Sequence, residues 1–248
     1  MKILVISDIH GCLDALRAVE AEEGTFDAVL CAGDIVDWGW NPCEVIDWMR
    51  DHNVIAVAGN HDREIVARYD RPEREPIGCE TSYASHTVNQ LTPDRLEWLR
   101  ALPDQQLVTL DGISYCIRHA VVISETVNPI HDALLDRRDI PYFHELWERF
   151  VGNFADHPKR RLLFGHSHRC YMMQAAPGEA YINPGSMHYR LCANAATPGA
   201  DYIVIRDGAV EMKHVDFPTA HLRARIEASN FPEEIKRPAL VYARSAVD

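Results

Sequence analysis

Carboxylates and imidazoles recur in this chain at spacings that suit metal binding. Asp8 and His10 stand two residues apart, and so do His166 and His168. In an extended backbone residues i and i+2 project to one side, so each pair can chelate one cation or straddle two. Asp34, Asn60 and His119 have the same setting, each closing an apolar run. The set is two carboxylates, one amide oxygen and four imidazoles. Oxygen and imidazole donors without thiolates suit Mn, Fe, Co, Ni or Zn, whereas Mg and Ca take oxygen shells. So many donors exceed what one tetrahedral zinc uses, and two ions sharing a bridging carboxylate account for them most simply. Two ions roughly 3.5–4 Å apart suit the clamping of a phosphoryl group and the activation of a water. Taken singly, His10 or His119 reads as a satisfied polar residue at a strand end. Convergence of all these groups without metal would leave buried polar atoms unpaired, at on the order of 1–3 kcal/mol each.

The elements that must position these residues alternate between strand and helix. Residues 2–7 form an Ile, Leu and Val run that meets Asp8-Ile9-His10-Gly11, as a strand buried on both faces should end. Leu13, Leu16 and Val19 follow at helical spacing, and 28–31 is a second apolar run closed by Ala32-Gly33-Asp34. Asn41-Pro42 predicts a capped helix through Val45, Ile46, Trp48 and Met49. A third strand over 54–58 ends in Gly59-Asn60-His61-Asp62, and Thr92-Pro93 predicts another capped helix, with Leu91 stapled to Leu96. Strands over 113–117 and 161–164 lead into Arg118-His119 and Gly165-His166-Ser167-His168. Asp207-Gly208 joins strands over 202–206 and 209–215 as a hairpin turn. This pattern is that of an α/β layered domain whose reactive loops gather at the carboxyl ends of its strands.

Composition narrows the classes further. The 248 residues carry 25 Lys and Arg against 37 Asp and Glu, a net charge of −12 that repels duplex DNA and speaks against general nucleic-acid binding. No run approaches the roughly 18–20 apolar residues of a membrane span, and polar residues arrive too early for a signal peptide, so a cytoplasmic protein without membrane partners is expected. The seven cysteines, none in a C-x-x-C clip, read as reduced thiols. No internal repeat appears, and one domain over 1–248 is the expectation. Residues 121–158, with Phe143, Leu146, Trp147 and Phe150 at helical spacing over 141–154, fit core packing or a lid. A homo-oligomer is compatible with the sequence.

Asp8-Ile9-His10-Gly11, Gly33-Asp34-Ile35-Val36-Asp37, Gly59-Asn60-His61-Asp62, His119 and Gly165-His166-Ser167-His168 resemble, in order and spacing, the signature blocks of the calcineurin-like metallophosphoesterases. Tyr181-Ile182-Asn183-Pro184-Gly185-Ser186 is similar to a segment of the small prokaryotic branch of YfcE-like phosphodiesterases. The resemblance implies an αββα sandwich of two mixed β-sheets flanked by helices. It implies that Asp8, His10, Asp34 and His168 hold one divalent metal and Asp34, Asn60, His119 and His166 the other, with Mn the foremost candidate and Fe, Ni, Co or Zn as alternatives. It implies that His61 faces the phosphate as charge stabiliser or proton donor, oriented by Asp37. The expected activity is hydrolysis of phosphodiesters in small substrates by a metal-bridging hydroxide. A phosphomonoesterase or nucleotide-polyphosphate hydrolase of the same fold is the alternative, and a non-catalytic scaffold the third reading. Trp38 stands where the protein phosphatases of this superfamily carry a phosphate-binding arginine. Arg63 and Arg118 are the substitutes to weigh against plain surface ion pairs. Ala120 replaces the glycine usual after His119. Asn183 and Ser186 are either substrate-side groups or a plain turn. Of the remaining histidines, His188 alone is kept as a further candidate. Residues 79–90, read as a loop, and the segment 121–158 are expected to shape the pocket.

Overall fold

The computed structural model describes residues 1–71, 73–120, 147–148, 150–152, 157–188 and 199–242. The expected lid over 121–158 falls largely outside these residues, as do His131, His144 and Cys192.

Two five-stranded mixed sheets form the centre. In the first, β1 (Lys2–Ile6) lies parallel to β2 (Ala28–Cys31), and β2 to the two-residue β3 (Ile55–Ala56). The other edge is the hairpin of β9 (Gly199–Arg206) and β10 (Ala209–Asp216), with β9 antiparallel to β1. Arg206 pairs with Ala209 across Asp207 (φ 48°) and Gly208 (φ 83°), the two left-handed residues that a tight hairpin turn requires. The second sheet has the order β4-β5-β6-β8-β7, from β4 (Gln105–Leu110), β5 (Ile113–Arg118), β6 (Arg160–Leu163), β7 (Cys170–Ala176) and β8 (Glu179–Pro184). There β5–β6 and β6–β8 are parallel, while β4–β5 and β7–β8 are antiparallel.

Side-chain alternation explains the layering. Ile3 and Val5 of β1 pack between the sheets with Ile203, Ile205, Tyr115, Ile117, Leu163 and Ile182. Leu4 and Ile6 point the other way, into a cluster with Leu16 and Val19 of α1 (Leu13–Glu23), Val45, Ile46 and Met49 of α2 (Pro42–Asp51), and Leu222 and Ile226. A strand with both faces buried must be apolar at every position, which is why β1 reads as a continuous run. The helices on that side also include α3 (Asn60–Tyr69), α4 (Tyr83–Gln90), α5 (Pro93–Ala101), α6 (Ala220–Ala228) and α7 (Glu233–Tyr242). Beyond the second sheet, Trp147, in helical backbone, covers Cys116, Leu162, Phe164 and Tyr181. The architecture is thus the expected αββα sandwich.

Local departures have local causes. Asn41 and Thr92 precede their helices without capping them through the side chain. Asn41 Nδ2 donates to Glu44 Oε1 at 3.4 Å, and Thr92 Oγ1 donates to Asp94 Oδ1 at 2.6 Å. The strand expected over 54–58 is assigned over only Ile55–Ala56: Val57 N still donates to the Cys31 carbonyl of β2, but Ala58 N turns away to the Pro103 carbonyl. Asn183 and Pro184 end β8 rather than forming a turn. Residues 83–90, expected as loop, are helical. Among the described residues six cysteines are free thiols, and no helix is long and apolar enough to cross a membrane.

Candidate metal centre

The loops that leave β1, β2, β3, β5 and β6 meet at one edge of the sandwich. They are stitched backbone to backbone: Asp8 N donates to the Gly33 carbonyl (2.9 Å), His10 N to that of Asp34 (3.0 Å) and Gly165 N to that of His119 (3.0 Å). Asp8, His10, Asp34, Asp37, Trp38, His166 and His168 have φ between 49° and 74°. Left-handed backbone is unfavourable for a residue with a Cβ and persists where surrounding bonds over-determine it. Approach is so close that a Cβ on Gly59 would strike the Asp34 carboxylate, and one on Gly165 would strike Ser7 Oγ and the Asp8 carboxylate.

Asp8, His10, Asp34, Asn60, His119, His166 and His168 all converge on this edge. The donor atoms of Asp8, His10, Asp34 and His168 lie within 4.8 Å of one another, and so do those of Asp34, His119 and His166. Asp34 belongs to both groups. Its Oδ2 is 3.1 Å from His119 Nε2 and 3.9 Å from His10 Nε2. Asp8 Oδ1 is 3.1 Å from His168 Nε2, and the Nε2 atoms of His10 and His168 face each other at 3.4 Å. Asn60 Oδ1 lies 3.0 Å from His119 Nε2 and 2.9 Å from His166 Nδ1. His119 Nδ1 sits 2.8 Å from the Ala32 carbonyl, which fixes the ring with Nε2 turned inward.

Electrostatics favour a cation here. Burial opposes ionisation of Asp8 and Asp34, yet hydrogen bonds and charge from His168 and His119 hold both below the ordinary carboxylate range. Burial pushes His10 down to about 4, so it is a neutral imidazole with a free lone pair. Burial also works against a charge on His119, but Asp34 pulls its pKa up to about 9. A proton on His119 and a metal cation are alternative ways of neutralising Asp34. Among the described residues His10 Nδ1 is buried without a hydrogen-bond partner, and Trp38 stacks on the ring at 4.5 Å. Two anionic oxygens, an amide oxygen and paired imidazole nitrogens fit divalent transition metals.

Beside this cluster, His61 Nδ1 is 2.7 Å from Asp37 Oδ2. Burial lowers the His61 pKa, but the Asp37 hydrogen bond and neighbouring carboxylates outweigh it and raise the value. His61 N also donates to Asp34 Oδ1 (2.9 Å).

Two kinds of support hold these loops: Asp62, to which the sequence alone assigns no role, and Asn183 and Ser186, which it leaves as substrate-side groups or a plain turn. The buried Asp62 carboxylate accepts from Gly59 N (2.8 Å), Ile35 N (2.9 Å) and Val36 N (3.1 Å), clamping the Asp34 loop to the Asn60 loop. Burial and Asp34 raise its pKa to about 6, against the pull of these donors. Asn183 and Ser186 are fully buried braces: Asn183 Nδ2 donates to the Gly165 carbonyl (2.8 Å) and Ser186 Oγ to that of Asp8 (2.9 Å). The His188 ring, also buried, stands edge-on to His10 at 5.9 Å. Arg63 and Arg118 line a cleft of about 190 Å³ with Asn60 and His119. Arg63 is held by Asp104 Oδ1 and the Leu102 carbonyl, both at 2.6 Å from Nη2. Arg118 Nη1 donates to Gln105 Oε1 (2.6 Å), and the guanidinium lies 4.5 Å over the Phe150 ring.

A model of the calcineurin-like phosphoesterase superfamily domain matches residues 1–204. The chain belongs to that superfamily. This phosphoesterase is 25% identical over 254 residues to an uncharacterised protein of Methanocaldococcus jannaschii, a match spanning 93% of this chain and 94% of the relative. A symmetrical bis(5'-nucleosyl)-tetraphosphatase of Baumannia cicadellinicola is 33% identical over 117 residues, 43% of this phosphoesterase and 38% of the relative. In fold it resembles the crystal structure of a metallophosphoesterase from Sphaerobacter thermophilus, with a TM-score of 0.68 at 23% identity over 98% of this chain and 99% of that one. Membership makes the protein a metal-dependent phosphoester hydrolase, and its clustered His and Asp groups suit the divalent metals of the family.

Proposed function

We propose that this phosphoesterase is a dinuclear-metal hydrolase of phosphodiesters. The observation that carries the reading is the sharing of Asp34 between two donor groups. Asp8, His10, Asp34 and His168 would hold one ion, and Asp34, Asn60, His119 and His166 the other; the mixed oxygen and imidazole donors admit Mn, Fe, Co, Ni or Zn, with Mn the first to test. Such ions supply Lewis-acid polarisation of the phosphoryl oxygens and an acidified water.

The protein's own groups do the rest. His61, fixed through Nδ1 by Asp37, turns Nε2 toward the departing oxygen and gives it a proton, the Asp37 hydrogen bond favouring the protonated ring. The Ala32 carbonyl, 2.8 Å from His119 Nδ1, keeps that ring turned so that Nε2 faces the second ion's place. Arg118, in the cleft beside Asn60 and His119, is the candidate phosphate contact; the guanidinium of Arg63 is committed to Asp104. Support for a diester comes from clefts on both sides of the centre: about 190 Å³ beside His119 and about 530 Å³ beside His61. A phosphate with two organic substituents fills both.

Manganese-loaded protein should cleave bis-p-nitrophenyl phosphate with higher kcat/KM than p-nitrophenyl phosphate. The activity should vanish with chelator and return with Mn²⁺. Metal-loaded protein that cleaves neither ester contradicts the proposal. The partial match to a bis(5'-nucleosyl)-tetraphosphatase favours, as a second reading, hydrolysis of dinucleoside polyphosphates. Faster turnover of such a compound than of any diester would establish it.

A further inference from the structure

The larger cleft opens from His61 and Asp37 and is walled by Trp38, Tyr83, Ala84 and Ile235, with about 530 Å³ of space. Ile235 belongs to α7, beyond the residues 1–204 that match the superfamily. That helix is not a loose appendage. Ala239 is buried in the main core, Leu240 packs against it, and Phe231 just before the helix stacks on Trp40 at 5.3 Å.

Charge in the cleft is already balanced or negative. Arg68 Nε lies 2.6 Å from Glu64 Oε1, so that cation is matched by a carboxylate. His61 is matched in the same way by Asp37 at 2.7 Å. The exposed Glu234 of α7 adds a further negative charge at the rim.

Hydrolysis forms a P–O bond to the water oxygen and breaks the P–O bond to the alcohol. The alcohol oxygen keeps the bonding pair and takes the proton from His61 Nε2. The group carried by that oxygen must therefore lie beyond the proton donor, and the space beyond His61 is this cleft. We propose that the cleft receives the leaving alcohol and selects an uncharged, aromatic or apolar alcohol over an anionic one, with α7 supplying the discriminating wall. This rests on the phosphodiesterase reading above. Half-buried Trp38 offers apolar surface to a ring, and half-buried Ala84 and Ile235 extend the apolar wall. An anion there would lose water without gaining an unmatched cation, and would face Glu234.

A matched pair of diesters tests the proposal: phenyl 4-(methoxycarbonyl)phenyl phosphate and phenyl 4-carboxyphenyl phosphate, incubated with manganese-loaded protein. The readout is which phenol is released, a ratio independent of the fraction of protein loaded with metal. The methyl-ester substrate, whose leaving phenol is uncharged, should release chiefly methyl 4-hydroxybenzoate. The carboxylate diester should reverse that choice, releasing phenol in at least tenfold excess over 4-hydroxybenzoate. Glu234→Lys, a surface change whose folding is checked by circular dichroism, should move that ratio at least fivefold toward 4-hydroxybenzoate. Equal partition for the two diesters, or a ratio unmoved in folded Glu234→Lys, overturns the proposal. Failure to cleave either diester overturns the phosphodiesterase reading and this inference with it.

Discussion

His61 and Asp34 separate the two tasks of the centre. His61→Ala should leave metal content unchanged and lower kcat by about 10²- to 10⁴-fold, the usual contribution of a positioned proton donor. Metal analysis alongside the rate checks it, and an unchanged rate shows that the proton donor is another group. Asp34→Ala should instead lose metal and rate together, because one carboxylate serves both donor groups. The residues of the cluster were legible in sequence because their types are uncommon together. The i, i+2 pairs do not lie in the extended backbone expected of them: Asp8, His10, His166 and His168 have left-handed φ of 49–68°, and His166 and His168 fall in different donor groups. Asp62 was not. A carboxylate after a histidine says nothing until folding brings Gly59, Ile35 and Val36 amides around it. Arg63 and Arg118 looked equivalent in sequence, and only their partners distinguish them: Asp104 for the first, Gln105 for the second.

At the scale of elements, the centre depends on loops that pass within contact distance. Gly165→Ala places a methyl group against Ser7 Oγ and the Asp8 carboxylate. The substitution should weaken Mn²⁺ binding at least tenfold and lower Tm by several degrees; calorimetric titration and thermal melting would read both. A second tie lies far from the centre. The Glu23 carboxylate at the end of α1 is 3% exposed, 3.1 Å from Lys2 Nζ and 2.7 Å from Arg206 Nη2, and it also pairs with Lys213. Burial works against its ionisation, but Lys213 and Lys2 bring its pKa from 4.5 to about 2. A depressed folded-state pKa contributes stability that is present above 4.5 and lost as pH falls toward 2. Glu23→Gln should cost on the order of 2 kcal/mol near neutrality and flatten acid unfolding in that window, as followed by urea titration at several pH values. Strands β1 and β2 were readable because both faces are buried. By contrast β4, β7 and β8 were missed: β4 and β7 mix polar and apolar residues on faces open to water, and β8 ends in an Asn-Pro pair that reads as a turn.

On the scale of the whole molecule, the donors come from two sheets. Asp8, His10, Asp34 and Asn60 follow strands of the first, while His119, His166 and His168 follow strands of the second. Metal at this edge would tie the sheets together, so saturating Mn²⁺ should raise Tm and chelator should lower it, the gain in unfolding free energy being about 2.7 kcal/mol per site at a hundredfold excess over Kd. Sequence blocks announced the convergence, but the α7 wall of the cleft was not written in any block, because Glu234 and Ile235 are ordinary helix positions whose role arises from packing. Anomalous diffraction from a crystal of the Mn²⁺-loaded protein tests the central claim most directly. Two manganese peaks roughly 3.5–4 Å apart, with the Asp34 carboxylate between them, are expected. A single peak, or two peaks that do not share Asp34, would contradict it.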